Sequence, residues 1–263
     1  MFLPSPTICL QKRNFLYNQV NWDVTLYYAT SGNLGQYTVS DSFNSQLYVT
    51  TTRTYQSMGG RMTVNASSGQ GIACPVEYAY IVGPPLILDQ EITNRLLNLY
   101  SHGETLNLLC GIAQVESTYT QFTTRTLFGK DAKWPTESFG NGGAYIGLMQ
   151  VPLTMADAWD WLNNTNMGAC IFNEKKRIAR NIERDIRNDP DHPEYRDLRP
   201  LTDFENENMA LVLYNGPWAN NPNMQYYIPY VGCTVDWIIN TANNPAGVFY
   251  ADSVRVAADS KAP

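Results

Sequence analysis

The stretch Leu108–Thr118, "LLCGIAQVEST", runs mostly apolar residues into an acid, Glu116, with a hydroxyl, Ser117, directly behind it. A carboxyl group held against apolar surface loses the hydration of its charged form. Its pKa therefore rises, and it can carry a proton near neutral pH. That is what a general acid needs. Taken alone, such a glutamate is more simply a helix end or an ion-pair partner. Two other segments carry polar groups that could act with it. Gln150 sits within "YIGLMQVPL", where a buried amide must find hydrogen bonds. In "ALVLYNG", Tyr214 and Asn215 close a helical run, where a phenol and an amide can project together.

The elements that position these groups fall in the second part of the chain. Asp89 can cap a helix with Ile92, Leu96, Leu99 and Tyr100 on one broad face. A second helix is expected from near Glu104. Its buried stripe, Leu109, Ile112 and Ala113, continues three and four residues later to Glu116, which places the acid at the core-facing end of the helix. "TMADAWDWL" reads as helical, as does "ACIFNEKKRIARNIERDIRN", with Ile178, Ile182 and Ile186 at i, i+4 spacing. The basic residues of the latter, Lys175, Lys176, Arg177, Arg180 and Arg184, alternate with Glu174, Glu183 and Asp185, as on a solvated helix face. "DPDHPEYRDLRP" is too rich in proline for a helix. "TDFENENMALVLYNG" is a helix capped by Thr202 or Asp203 and stopped by Asn215 and Gly216, and "PYVGCTVDWIINT" is expected to be the last one.

The first part of the chain has another period. From about Asn21 to Val82, "WDVTLYY", "SQLYVTTTRTY", "GRMTVNA" and "CPVEYAYIV" alternate as strands do, separated by the turn-forming pieces "TSGNLG", "SDSFNS" and "ASSGQG". These short strands suggest a small β-sandwich with no catalytic constellation of its own, serving as a docking module or as structural support. "GPP" at Gly83–Pro85 marks the boundary. The expected fold class is thus α+β in two domains: a β-sandwich over residues 1–85 and an all-α domain over residues 86–263.

Composition narrows the function. The 263 residues can fill one large domain or two ordinary ones, and 44% hydrophobic with 16% charged content is that of a folded chain. A net charge of −6 argues against nonspecific binding to nucleic acid or to an anionic membrane surface. The five cysteines, Cys9, Cys74, Cys110, Cys170 and Cys233, show no metal-ligand spacing, and His102 and His192 lack a partner pattern, so neither a metal nor another cofactor is expected. Cys110 and Cys170 read as small buried hydrophobes; a Cys9–Cys74 bridge stays open. No apolar run is long enough to span a membrane, and the N-terminal "MFLPSPTICLQKRN" reverses the order of a secretory signal.

"ES" at Glu116–Ser117, "GLMQV" at Gly147–Val151 and "YNG" at Tyr214–Gly216, in that order within a helical half, resemble the lysozyme-like lytic transglycosylases and their goose-type lysozyme relatives. The resemblance covers roughly Leu86 to Asn240. It implies a lysozyme-like fold for the second domain, with peptidoglycan glycan strands as substrate. It implies that Glu116 is the catalytic acid and that Ser117 lies in the site. By the same likeness, Gly147, Met149 and Gln150 line the glycan groove, and Tyr214 and Asn215 face the acid. The chain departs from the family in the longer stretch between "ES" and "GLMQ" and in Pro152, where goose-type lysozymes carry an aspartate.

That departure bears on chemistry. Hydrolysis of a glycoside normally needs a second carboxylate, whereas the transglycosylase route uses one glutamate first as acid and then as base. The expected activity is therefore cleavage of the β-1,4 bond between N-acetylmuramic acid and N-acetylglucosamine to a 1,6-anhydro product. A hydrolytic muramidase, with Asp131 or Glu137 as second carboxylate, and a noncatalytic glycan-binding module are the alternatives. Trp134, Tyr145, Trp218 and Tyr226 are candidates for stacking on sugars, although any one of them is as well explained by packing. Without an export signal, action at the bacterial wall would need a secretion apparatus or a phage particle. The β-domain would serve as docking handle, and an immunity protein would be a further partner.

Overall fold

The computed structural model describes residues 7–10, 19–29, 36–46, 51–54, 60–68, 77–81, 89–99, 108–127, 130–136, 144–152, 161–216, 225–232 and 234–260. It has mixed α and β content, and the chain divides into two compact units. The first is Met1–Leu88 with Tyr119–Asn164, and the second is Asp89–Thr118 with Thr165–Pro263. Gly83–Pro85 lies outside the described residues.

In the first unit, β1 (Thr7–Leu10) pairs with β4 (Thr51–Thr54), and β2 (Gln19–Ala29), β3 (Gln36–Gln46), β5 (Gly60–Ser68) and β6 (Glu77–Ile81) form an antiparallel sheet in the order β3-β2-β5-β6. The alternation of β2 sets its buried face. Val20, Trp22 and Val24 point inward, and Asp23 points out. Trp22 stands opposite Phe43 in the register, with the rings stacked at 6.4 Å, and donates its indole hydrogen to Ser45 Oγ at 2.8 Å. Two hairpins complete the unit: β7 (Phe122–Leu127) with β8 (Lys130–Pro135), and β9 (Tyr145–Ile146) with β10 (Val151–Pro152).

The second unit holds α1 (Asp89–Leu99), α2 (Leu108–Ser117), the part of α3 (Trp161–Arg187) that follows Asn164, a short 3-10 helix over Pro193–Asp197, α4 (Asp203–Asn215) and α5 (Pro245–Asp259). The hairpin of β11 (Tyr227–Val231) and β12 (Val235–Ile239) belongs to it too. Helix α4 starts where its sequence says. Thr202 accepts from the backbone of Glu205, and Glu205 reaches back to the Thr202 backbone, a complete capping box. Ile92 and Leu96 of α1 are fully buried, as are Leu108–Ala113 at the start of α2. Among the described residues, no helix is long and apolar enough to cross a membrane.

Three expectations are corrected. The later part of the chain is not all-helical, since β7–β12 fall within residues 86–263. The segment expected as the last helix is the β11–β12 hairpin, because Val231, Val235, Ile238 and Ile239 are β-branched and the chain reverses at Gly232–Thr234, where the Gly232 N–H donates to the Thr234 carbonyl. The true last helix, α5, lies beyond it, capped by Asn244 with Pro245 in its first turn. Cys170 is exposed on α3, whereas Cys110 is buried as expected. Cys9, Cys74 and Cys233 have no described side chains.

In the later part of α3, Phe172 and Ala179 are fully buried and Glu183 nearly so, while Ile178, Ile182 and Ile186 are only half-buried. Polar contacts turn the helix this way: Glu183 accepts from the Leu201 N–H, and Lys176 pairs with Glu207 on α4. Three of its other cations are paired along the surface. Arg177 binds Glu174, Arg180 binds Asp203 and Arg184 meets Asp185.

Helix α5 packs on α2 and α4. The α2 contact depends on Gly111, because a Cβ there would collide with the Val254 carbonyl oxygen. Gly111→Ala would gain about 1 kcal/mol in helix propensity and lose about 1–3 kcal/mol to overpacking against backbone. Net destabilisation by urea denaturation is the expected outcome; a gain in stability would contradict this packing. Glu205, bound by Arg199 through both carboxylate oxygens and by Thr202, has its pKa held down to about 2 from 4.5. Its contribution is full above pH 4.5 and is lost as pH falls through about 2. Glu205→Gln should cost about 1 kcal/mol at neutral pH, with the difference from wild type shrinking in acid.

Candidate active site

The acid singled out in the sequence ends α2. Six buried residues, Leu108–Ala113, precede it on the helix, and Glu116 emerges half-buried at the last turn. Beyond Ser117 the backbone turns left-handed at Thr118 and Tyr119, with φ of 53° and 57°, and the Thr118 N–H closes on the Gln114 carbonyl. Left-handed backbone is costly for a β-branched residue such as Thr118. The helix therefore stops within two residues of the glutamate, so the carboxyl stands at a helix end.

Two phenols surround it. Tyr250 of α5 donates its hydroxyl to Glu116 Oε1 at 2.6 Å, and Tyr214, near the end of α4, feels the Glu116 charge. Burial raises the Glu116 carboxyl above its ordinary pKa, and the Tyr250 hydrogen bond pulls it part of the way back. Both phenols are pushed well above their usual value, by burial first and then by the Glu116 charge. Both therefore stay protonated near neutral pH.

Tyr250 was missed in the sequence. The signal was present: Gly247, Tyr250, Ala251, Val254 and Ala258 form a buried stripe at helical spacing behind an Asn-Pro start. The geometry follows from antiparallel packing. Going from Gly111 to Glu116 along α2, the contact on α5 moves back from Val254 to Tyr250. Phe172 of α3 meets the Tyr214 ring edge-on at 6.5 Å.

Ser117 turns its hydroxyl back to the Ala113 carbonyl at 3.0 Å, one helical turn earlier. Asn215 is exposed at the last position of α4, next to Gly216. Tyr226 is buried and donates to Asp252 Oδ1 at 2.8 Å, a packing role. Asp131 and Trp134 lie in β8 without described side chains, and Glu137 and Trp218 are outside the described residues.

Gly147, Met149 and Gln150 belong to the first unit, where Gly147–Gln150 is the reversal between β9 and β10. Gly147 has a φ of +80°, and a Cβ there would collide with the Asn164 and Gln121 side chains. Those two amides hold the turn. Gln121 Oε1 accepts from the Leu148 N–H at 2.7 Å, Asn164 Oδ1 accepts from the Met149 N–H at 2.8 Å, and Asn164 Nδ2 donates to the Ile146 carbonyl at 3.0 Å. Gln150, itself left-handed with φ of 46°, donates to the Gly147 and Thr136 carbonyls. Leu148 and Met149 have no exposed surface, so Met149 is a core residue of the turn. Tyr145, at the start of this hairpin, is 42% exposed.

Compared with known protein families, curated proteins and solved structures, the chain matches none of them significantly. A protonatable carboxyl at a helix end, faced by neutral phenols, can deliver a proton to a bound group and later take one back. Among the described residues, no group of three or more His, Cys, Asp or Glu is placed to hold a metal ion.

Tyr250→Phe removes the hydrogen bond that favours the Glu116 carboxylate. The midpoint of Glu116 should therefore move up in pH. Carboxyl-carbon NMR of labelled glutamate reads this directly, and an unchanged or lowered midpoint would refute the assignment.

Proposed function

We propose that the protein is a peptidoglycan lytic transglycosylase with Glu116 as its single acid and base, carried on a lysozyme-like helical domain and accompanied by a β-sandwich accessory domain. The observation that carries the reading is the setting of Glu116: a carboxyl at the end of a buried helix stripe, raised by burial and bonded to the Tyr250 hydroxyl at 2.6 Å. The ordered "ES", "GLMQV" and "YNG" segments supply the substrate class.

In this reading Glu116 enters protonated and donates to the oxygen bridging N-acetylmuramic acid and N-acetylglucosamine. The glycosidic C–O bond breaks, and the N-acetylglucosamine side leaves with the proton. Glu116, now a carboxylate, takes the proton of the muramic 6-hydroxyl as that oxygen bonds to the anomeric carbon, which closes the 1,6-anhydro ring. Acid and base are one residue used in turn. Burial favours the protonated form required first, and the Tyr250 hydrogen bond stabilises the carboxylate required second.

The chain's route to the wall belongs to the same proposal: delivery by a secretion apparatus or phage particle, with the β-domain as docking handle. Glu116→Gln keeps the shape of the group and removes its titration. It should lower the rate of sacculus digestion by roughly 10²–10⁴-fold. Near wild-type digestion by that variant would sink the proposal. Mass spectrometry of the wild-type products separates the chemistries, with 1,6-anhydro ends expected and reducing ends pointing to a hydrolase.

A further inference from the structure

Glu207 lies in the middle of α4 with no exposed side-chain surface, and cations from two other helices meet it. Lys176 Nζ of α3 reaches Oε1 at 3.3 Å, and Arg255 Nη2 of α5 reaches Oε2 at 3.1 Å. Arg255 makes more of this face of α4 than the ion pair alone. Its Nε donates to Asn208 Oδ1 at 2.9 Å, Nη2 also donates to the Phe204 carbonyl at 3.1 Å, and the guanidinium lies 4.1 Å from the centre of the Phe204 ring. A planar fork engaged at several points resists both rotation and sliding of the helix that carries it.

The two helices run antiparallel. Arg255 sits beside Phe204–Asn208 near the start of α4, and Tyr250, five residues earlier on α5, sits toward Tyr214 at the other end. Along α5 that is about 7.5 Å, at 1.5 Å of rise per residue. Tyr250 holds Glu116 by one hydrogen bond of 2.6 Å, so an axial shift of one residue would break it. Val254, next to Arg255, is the residue against which Gly111 of α2 packs.

We infer that Arg255 is a positioning residue: its grip on Glu207, Asn208 and Phe204 sets the register of α5 and so holds the Tyr250 hydroxyl on Glu116. The inference rests on the reading of Glu116 as the catalytic acid for its functional meaning. Arg255 does not touch Glu116 and acts through Tyr250. Among the described residues, the titratable groups shown to interact with Glu116 are Tyr250 from α5 and Tyr214 from α4. Helix α1, which also packs on α2, brings Arg95, engaged by Asn166 Oδ1 at 2.7 Å.

The sign of one substitution separates positioning from a direct charge effect. Removing the Glu207 anion by Glu207→Gln would lower the Glu116 midpoint if charge acted directly, because an anion raises a neighbouring acid. Loss of the clamp raises it instead, because the Tyr250 hydrogen bond is lost. The experiment is the NMR titration of Glu116 in the full chain for wild type, Tyr250→Phe, Glu207→Gln, Arg255→Met and the Tyr250→Phe/Arg255→Met double variant. The expected result is an upward displacement in Glu207→Gln and Arg255→Met of at least about half that in Tyr250→Phe, with no further displacement in the double variant. An unchanged or lowered midpoint in Glu207→Gln, or full additivity in the double variant, overturns the inference. If Arg255→Met does not fold by circular dichroism, Arg255→Lys carries the test. It keeps the charge, loses the fork, and should displace the midpoint upward by less; no displacement overturns the inference. On sacculi, kcat should fall in these variants with KM nearly unchanged. Wild type that releases no product would refute the proposed function and leave the titration result to decide the positioning role.

Discussion

Helix α5 can lie against α2 only because position 111 has no side chain, and the helical unit around Glu116 is organised by that close approach. The Val254 carbonyl occupies the space a Cβ would need. With the two helices in contact there, antiparallel geometry carries Tyr250 to Glu116 a turn and a half further along α2. On its other face α5 is tied to α4 through Arg255, and α4 to α3 through Lys176, with the buried Glu207 common to both pairs. A carboxylate without exposed surface is tolerated only when its charge is met. Removing one partner of such a set costs about 3–5 kcal/mol. The unit therefore has a dry helix contact on one side of α5 and a charged clamp on the other.

The consequence falls on one carboxyl group. Packing from α2, α4 and α5 strips water from Glu116, which raises its pKa, and leaves it one strong donor, which lowers it. Burial is the larger effect. The phenols are themselves too deeply enclosed to ionise, so they modulate the acid without competing for its role. The Gly147–Gln150 turn in the other unit is built differently. Its shape comes from backbone hydrogen bonds to Gln121 and Asn164, and a glycine is required at position 147, where φ is +80° and a Cβ would meet those two side chains. Its apolar side chains are core.

Much of this is legible in the amino-acid sequence. The alternation of "WDVTLYY", with Trp22 and Val24 on one side, marked a strand, and Thr202 or Asp203 marked the start of α4. The stripe Leu109, Ile112, Ala113 pointed to Glu116 as the end of a buried face, where it lies. The misreadings share a cause. Apolar residues near Trp237 suited a helix or a strand, and only pairing with Tyr227–Val231 decides for the hairpin. On α3 the isoleucine spacing suggested one buried face, but Lys176 and Glu183 are drawn inward by partners far away in sequence.

The sequence by itself determined local matters: where strands alternate, where α4 is capped, where a carboxylate ends an apolar run and a glycine can turn left-handed. These depend on residues within a few positions of one another, and period and side-chain chemistry report them directly. Only the tertiary structure decided what surrounds Glu116. Tyr250 is 134 residues away along the chain, and Glu207 meets Lys176 and Arg255 across separations of 31 and 48. Such partners are chosen by how helices dock, and the docking depends on a missing Cβ and a shared buried charge. Neither leaves a periodic trace in the sequence.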